Sequence, residues 1–155
     1  MNLKRACTSL PVIMLLVTMV QLSCTPESCL EETVTTVNAV FYRTGTGKVE
    51  APDSVTLYGL GMELVKIYNA TRGVKVAKMP LDASEDACAF FIKVNGIPDT
   101  IYFSYRSYPH LVSKECGFTV YHSLDTVYNK AGGIDVLLTN GSITTSNEEN
   151  IRIFY

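Results

Sequence analysis

After residue 33 the chain breaks into short runs rich in β-branched and aromatic residues, each closed by a turn signal within eight to twelve positions. No stretch there shows a convincing helical period. That spacing is the strongest constraint on the fold, because a parallel α/β sheet needs crossover helices of a dozen or more residues, and the pattern leaves no room for them. The runs are "VTTVNAVFY" (34–42), "SVTLYGLG" (54–61), "ELVKIYNA" (63–70), "GVKVAKMPL" (73–81), "ACAFFIKV" (87–94), "TIYFSYR" (100–106), "GFTVYHS" (117–123), "IDVLLTN" (134–140) and "NIRIFY" (150–155). The Asn95-Gly96 pair predicts a two-residue hairpin between the fifth and sixth of them. Between 124 and 133 the pattern is less regular, and a brief helical turn is allowed there or near 60–66. The expected class is all-β: a single antiparallel β-sandwich of Ig-like architecture with about eight to nine short strands, spanning 33–155.

Residues 1–23 do not belong to that body. Lys4 and Arg5 precede a mostly apolar run from Leu10 to Val20. Such a run is too short for a spanning helix, which needs about 20 residues, and suits the central region of a secretory signal peptide. Two cleavage routes compete at its end. An ordinary peptidase would release an unanchored secreted chain. In the other route "VQLSC" acts as a lipobox, and Cys24 becomes a lipidated N-terminal residue. Ser23 and the cysteine fit the second route; Gln21 departs from the usual leucine. Two or more acyl chains on one residue give stable membrane anchoring, where a single chain gives marginal binding. The expected organisation is a lipoprotein signal at 1–23, a lipidated spacer at 24–32 and the β domain after it. Its location would be the cell envelope, on a membrane, and outer-membrane anchoring fits best.

An exported chain lives in an oxidising compartment, so its cysteines can pair. Of five cysteines, Cys7 leaves with the signal and Cys24 takes the lipid. Cys88 alternates with Phe90, Ile92 and Val94, which reads as a buried small hydrophobe. Cys29 and Cys116 sit among polar, turn-like residues, and a Cys29–Cys116 disulfide is expected. It would close a loop of about 87 residues, worth roughly 4–5 kcal/mol on the chain-entropy model.

The chain gives few signs of catalysis. Its histidines, His110 and His122, lack an HExxH or CxxC companion, so no metal and no cofactor are expected. His122 shares strand parity with Phe118 and Val120 and reads as structural; His110, after Pro109, reads as a solvated loop residue. "GTGK" (45–48) is a hairpin loop that lacks the full phosphate-loop pattern. The acidic pairs Glu31–Glu32 and Glu148–Glu149 read as solvated edges. No GxSxG elbow is present. Without Lys4 and Arg5, 11 basic residues face 15 acidic ones, so nucleic acid is not an expected partner. The one surface hint is "IYFSYRSY". There Ile101, Phe103 and Tyr105 face the core, while Tyr102 and Arg106 share the outer face as a possible glycan- or peptide-binding patch. The expected function is non-enzymatic: a structural or binding module.

Several pieces, in order, carry a resemblance: "CTPESCLEE", "VTLYGLG", "MPLD", an aromatic strand ahead of "VSKECGF", and the closing "NEENIRIFY". Together they resemble a family of small uncharacterised lipoproteins from Bacteroidota, domain-of-unknown-function family 6452. The resemblance implies a β-sandwich lipoprotein on the envelope with Cys29 near Cys116. It implies no activity.

Overall fold

The structure, a computed structural model, describes residues 33–114 and 116–155. The leader 1–23, Cys24, Cys29 and the Glu31–Glu32 pair lie outside the described residues. Within them the fold is all-β: β1 (Thr36–Arg43), β2 (Lys48–Val49), β3 (Val55–Gly59), β4 (Tyr68–Thr71), β5 (Val76–Pro80), β6 (Ala87–Val94), β7 (Ile97–Ser113), β8 (Gly117–Asn129), β9 (Asp135–Leu138), β10 (Ser142–Ile143) and β11 (Ile151–Phe154). These eleven strands form two sheets. One has the order β2-β1-β11-β9, with β5 beside β2 on the same edge of β1; the other runs β10-β8-β7-β6-β3-β4.

Period-two alternation explains how the sheets share one core. Val37, Ala39 and Phe41 of β1, Ala77 and Met79 of β5, and Ile151 and Ile153 of β11 point inward from the first sheet. Leu57, Phe90, Ile92, Ile101, Phe103 and Tyr105 meet them from the second. The expected inward set Ile101, Phe103 and Tyr105 is thus buried, and "ACAFFIKV" forms a strand over its whole length. The Asn95-Gly96 turn has φ of 49° and 88°, the double-positive geometry that an Asn-Gly hairpin requires.

Four expectations need correction. The sheets are not purely antiparallel, because β1 pairs with β11 in parallel, Ala39 opposite Ile151. The chain ends beside its own first strand after crossing from the second sheet, a register no local signal encodes. Asn38 and Asn150 hold that crossing. Asn38 N–H donates to Asn150 Oδ1 (2.9 Å), and Asn150 Nδ2 donates to the carbonyls of Asn140 and Ser142. Second, "ELVKIYNA" is not one strand: residues 60–67 are a loop, and only β4 follows. Third, His110 lies in β7 opposite Thr119, not in a loop, since Pro109 is accommodated within the strand. Fourth, the irregular stretch after Leu124 is still β8. A bulge at Asp125 places Tyr105 opposite Leu124 but Ser104 opposite Thr126. The extra residue shifts the inward set from His122 and Leu124 to Val127, which breaks the alternation seen in the sequence.

The pairing fixes which loops share an end. Because Ala87 pairs with Ser104, the outer half of the β7–β8 ribbon projects beyond the start of β6. Loop 60–67, loop 81–86 and the beginning of β1 (Thr36 opposite Pro80) lie at that same pole. The β6–β7 turn and the segment 130–134 lie at the other.

Candidate functional site

Tyr102 and Arg106 do share the outer face of β7, two positions either side of Ser104. Each is engaged there. Tyr102 stacks on Tyr128 across the ribbon, with centroids 5.1 Å apart and planes 10° apart, and Lys130 Nζ sits 4.6 Å from the Tyr102 ring. Arg106 Nη2 is 2.9 Å from Asp125 Oδ1, the residue that bulges out of β8. Both side chains of that ion pair are solvated, so it contributes little stability. Tyr58 and Phe91 stack at 4.7 Å elsewhere on the same face. The patch is therefore an aromatic stripe beside an ion pair rather than an open Tyr–Arg clamp.

A second surface escaped the sequence reading. Loop 60–67, loop 81–86 and the start of β6 enclose an apolar cleft of about 680 Å³, with Leu60, Met62, Val65, Ile67, Leu81 and Phe90 in its walls. Cys88 also lines it and is a free cysteine. Burial pushes the Cys88 thiol up to about 11 and the neighbouring Tyr105 hydroxyl up to about 12. Cys88 is thus a thiol at neutral pH, not a reactive thiolate. The reason for the miss is local. Leu64, Val65 and Ile67 resemble strand residues, and the signal against a strand is Gly61, whose φ of 85° turns the chain out of the sheet.

The remaining polar residues are tied into the scaffold. His122 is 2% exposed, its Nδ1 lies 2.9 Å from Ser107 Oγ, and burial lowers its pKa. His110 stacks on Tyr121 at 4.1 Å on the exposed part of the ribbon. Asp99, also 2% exposed, accepts hydrogen bonds from Asn129 Nδ2 and from the amides of Thr100, Ala131, Gly133 and Ile134. Burial alone would raise the Asp99 pKa, but those donors overcome it and hold the carboxyl below its ordinary value. Glu149 accepts from Tyr42 Oη and Arg152 Nε, both at 2.7 Å, and Glu148 from Asn140 Nδ2. The 44–47 segment is a hairpin turn closed by Gly47 N–H donating to the Arg43 carbonyl. Among the described residues no group of three or more His, Cys, Asp or Glu could hold a metal ion, and no helix is long and apolar enough to cross a membrane. Cys116 is half-buried and its amide donates to Ser113 Oγ at 3.0 Å; its expected partner, Cys29, lies outside the described residues.

Residues 54–155 match the model of a family described as a family of unknown function (DUF6452). The match runs from β3 to β11 and leaves out β1, although β1 is central to the first sheet. Comparison with curated proteins and with solved structures finds no match.

Proposed function

The chain belongs to the family of unknown function DUF6452, and we propose that it is a lipid-anchored, non-catalytic module of the cell envelope. The observation that carries this reading is "VQLSC": a basic start and a short apolar run end in a cysteine nine positions before the first described residue. Processing there would leave Cys24 as a diacylated N-terminus and the two sheets, stacked as a β-sandwich, tethered by a short polar spacer. A bacterial outer membrane, in a Bacteroidota-type envelope, is the setting that fits. Intact-mass analysis of the membrane-fraction protein tests it: the expected species begins at Cys24 and carries acyl mass, and an unmodified Cys24 thiol defeats the anchor.

The Cys29–Cys116 disulfide belongs to the same proposal. Support comes from the path of the chain. The Thr33 carbonyl accepts a hydrogen bond from Thr119 Oγ1, and Thr35 Oγ1 donates to the Val120 carbonyl at 2.9 Å. Cys29 is four residues from Thr33, a reach of up to about 14 Å, and Cys116 is three residues from Thr119. Peptide mapping without reductant is expected to recover the two cysteines joined.

What supports the non-catalytic reading is the employment of polar side chains. His122, Asp99 and Glu149 each satisfy neighbouring donors or acceptors in the scaffold, and Cys88 is held protonated. A second reading, a glycan- or peptide-binding face at Tyr102 and Arg106, draws on the paired rings of the outer face. A glycan array with Tyr102→Ala as control separates the two; equal signals from both chains remove the second reading.

A further inference from the structure

We propose that the pole bearing loop 60–67 is a bilayer-contact surface, and that this loop sets its apolar side chains into the headgroup–acyl boundary of a membrane. The proposal rests on the lipid-anchor reading for orientation, but its own evidence is the surface. Leu64 is fully exposed, at 100%, Val65 is 73% exposed, and Leu60 and Met62 flank them, also exposed. Four large apolar side chains open to solvent in six consecutive positions are a concentration that scattered surface hydrophobes do not produce. They are not alone at this pole. Phe118, at the tip of the projecting ribbon, is 71% exposed, with Leu111 opposite it across the pairing. Among the described residues the other pole exposes only separated apolar side chains, such as Ile97 beside the Asn95-Gly96 turn and Val49 on the β1–β2 hairpin, and its 130–134 segment is folded onto Asp99.

The path of the N-terminal chain selects a membrane as occupant. The described chain begins at this same pole, with Val34 71% exposed and the Thr33 carbonyl on Thr119 of the ribbon. Nine Cα–Cα steps separate Thr33 from Cys24, at most about 30 Å when fully extended. A lipid on Cys24 therefore keeps this pole within about 30 Å of the bilayer, and the tether leaves the domain from this side rather than from the Asp99 pole. The diacylated residue holds the chain to the membrane, and a second, apolar contact at this pole restricts tumbling on the tether. Glu63 and Lys66 in the loop carry opposite charges, and Asp82, Glu85 and Asp86 line the adjoining loop, so the contact is apolar and does not select anionic lipid.

The chain contains no tryptophan, so a single introduced one is a clean reporter. The test uses the mature chain with Cys24→Ser, which removes the acyl group, and phosphatidylcholine vesicles. With Leu64→Trp, emission is expected to shift to shorter wavelength on adding vesicles and to be quenched by brominated lipid. Val49→Trp, exposed on the hairpin at the opposite end of β1, is expected to stay unchanged. Adding Leu64→Glu to the chain without a reporter is expected to lower vesicle flotation by at least about tenfold, with an unaltered melting curve in buffer. No response from Leu64→Trp overturns the proposal, as does an equal response from both reporters. A blue-shifted Leu64→Trp signal that grows with protein concentration in buffer, without vesicles, also overturns it and assigns the surface to a second copy of the chain. Failure of the anchor is read separately, in the mass of Cys24.

Discussion

The two ends of the second sheet solve the problem of loop closure in opposite ways. At one, the buried Asp99 carboxylate gathers four backbone amides and the Asn129 side chain, so segment 130–134 is fixed by polar satisfaction. At the other, loop 60–67 is held by a few main-chain hydrogen bonds, such as Met62 N–H to the Gly59 carbonyl and Ile67 N–H to the Leu57 carbonyl, and although several of its apolar side chains line the open cleft, Leu60, Met62, Leu64 and Val65 stay largely exposed. A loop whose side chains contribute little to folding is free to serve something else. The difference teaches where stability and where recognition reside in this fold: substitutions at the first end should cost stability, and those at the second should cost contacts.

The largest effect is expected at Asp99. Asp99→Ala leaves the amides of Ala131, Gly133 and Ile134 and one hydrogen of Asn129 Nδ2, whose bond to the Ile134 carbonyl remains, without an acceptor in a buried setting, a loss of roughly 3–5 kcal/mol by chemical denaturation. A loss under about 1 kcal/mol would mean that water or the chain itself re-satisfies those donors, and the contrast between the ends would collapse. The same residue gives a pH signature. Its folded-state pKa lies below the unfolded value, so it contributes stability above the ordinary carboxylate range. That contribution is lost as pH falls below about 4 and through the folded pKa. Asp99→Ala should therefore flatten the acid limb of stability against pH relative to the parent chain.

A smaller effect is expected two residues past Ala131. A Cβ on Gly133 would lie 2.6 Å from Ile97 Cγ2 and 3.2 Å from the Pro98 carbonyl oxygen. Ile97 is exposed and can move, whereas the backbone cannot move as readily, so Gly133→Ala should cost about 1–2 kcal/mol. In an Ile97→Ala background the cost should fall, and a double-mutant cycle in urea measures the coupling. Strict additivity would show that the close approach is relieved without strain.

How much of this was legible in the sequence follows the range of the interactions. The β6 strand and its Asn-Gly turn depend on adjacent residues, and local pattern located both. The inward set Ile101, Phe103 and Tyr105 needed only strand parity. The parallel β1–β11 pair joins Ala39 to Ile151, and the Asp99 cluster joins residues about thirty positions apart, so "NGIPD" reads as a turn and nothing more. The bulge at Asp125 hid half of β8 because alternation fails there. Loop 60–67 was hidden differently: its apolar residues mimic a strand, and the meaning of those residues lies in their exposure, which composition does not report. On the outer face, parity placed Tyr102 and Arg106 together, but their partners Tyr128 and Asp125 arrive from β8.

That outer face gives the next smaller effect. Tyr102→Ala removes one ring of the Tyr102–Tyr128 stack and the seat of Lys130, a loss of about 0.5–1.5 kcal/mol. Near-zero change would indicate that solvation already supports each ring separately and that the stripe has no part in holding the ribbon.

The smallest expected effect carries the most weight for the comparison. Leu64→Ser replaces a side chain that is fully solvated in the folded protein, so folding buries none of it and the substitution forfeits no transfer free energy. The neighbouring hydrogen bond of the loop, Val65 N–H to the Met62 carbonyl, belongs to the backbone and survives the change. Stability in urea should stay within about 0.5 kcal/mol of the parent. A loss of 1 kcal/mol or more would show that Leu64 is packed in solution, closing over the cleft beside Leu60 and Phe90. The two poles would then differ only in the means by which they stabilise the fold, and the apolar loop would have no contact surface to offer.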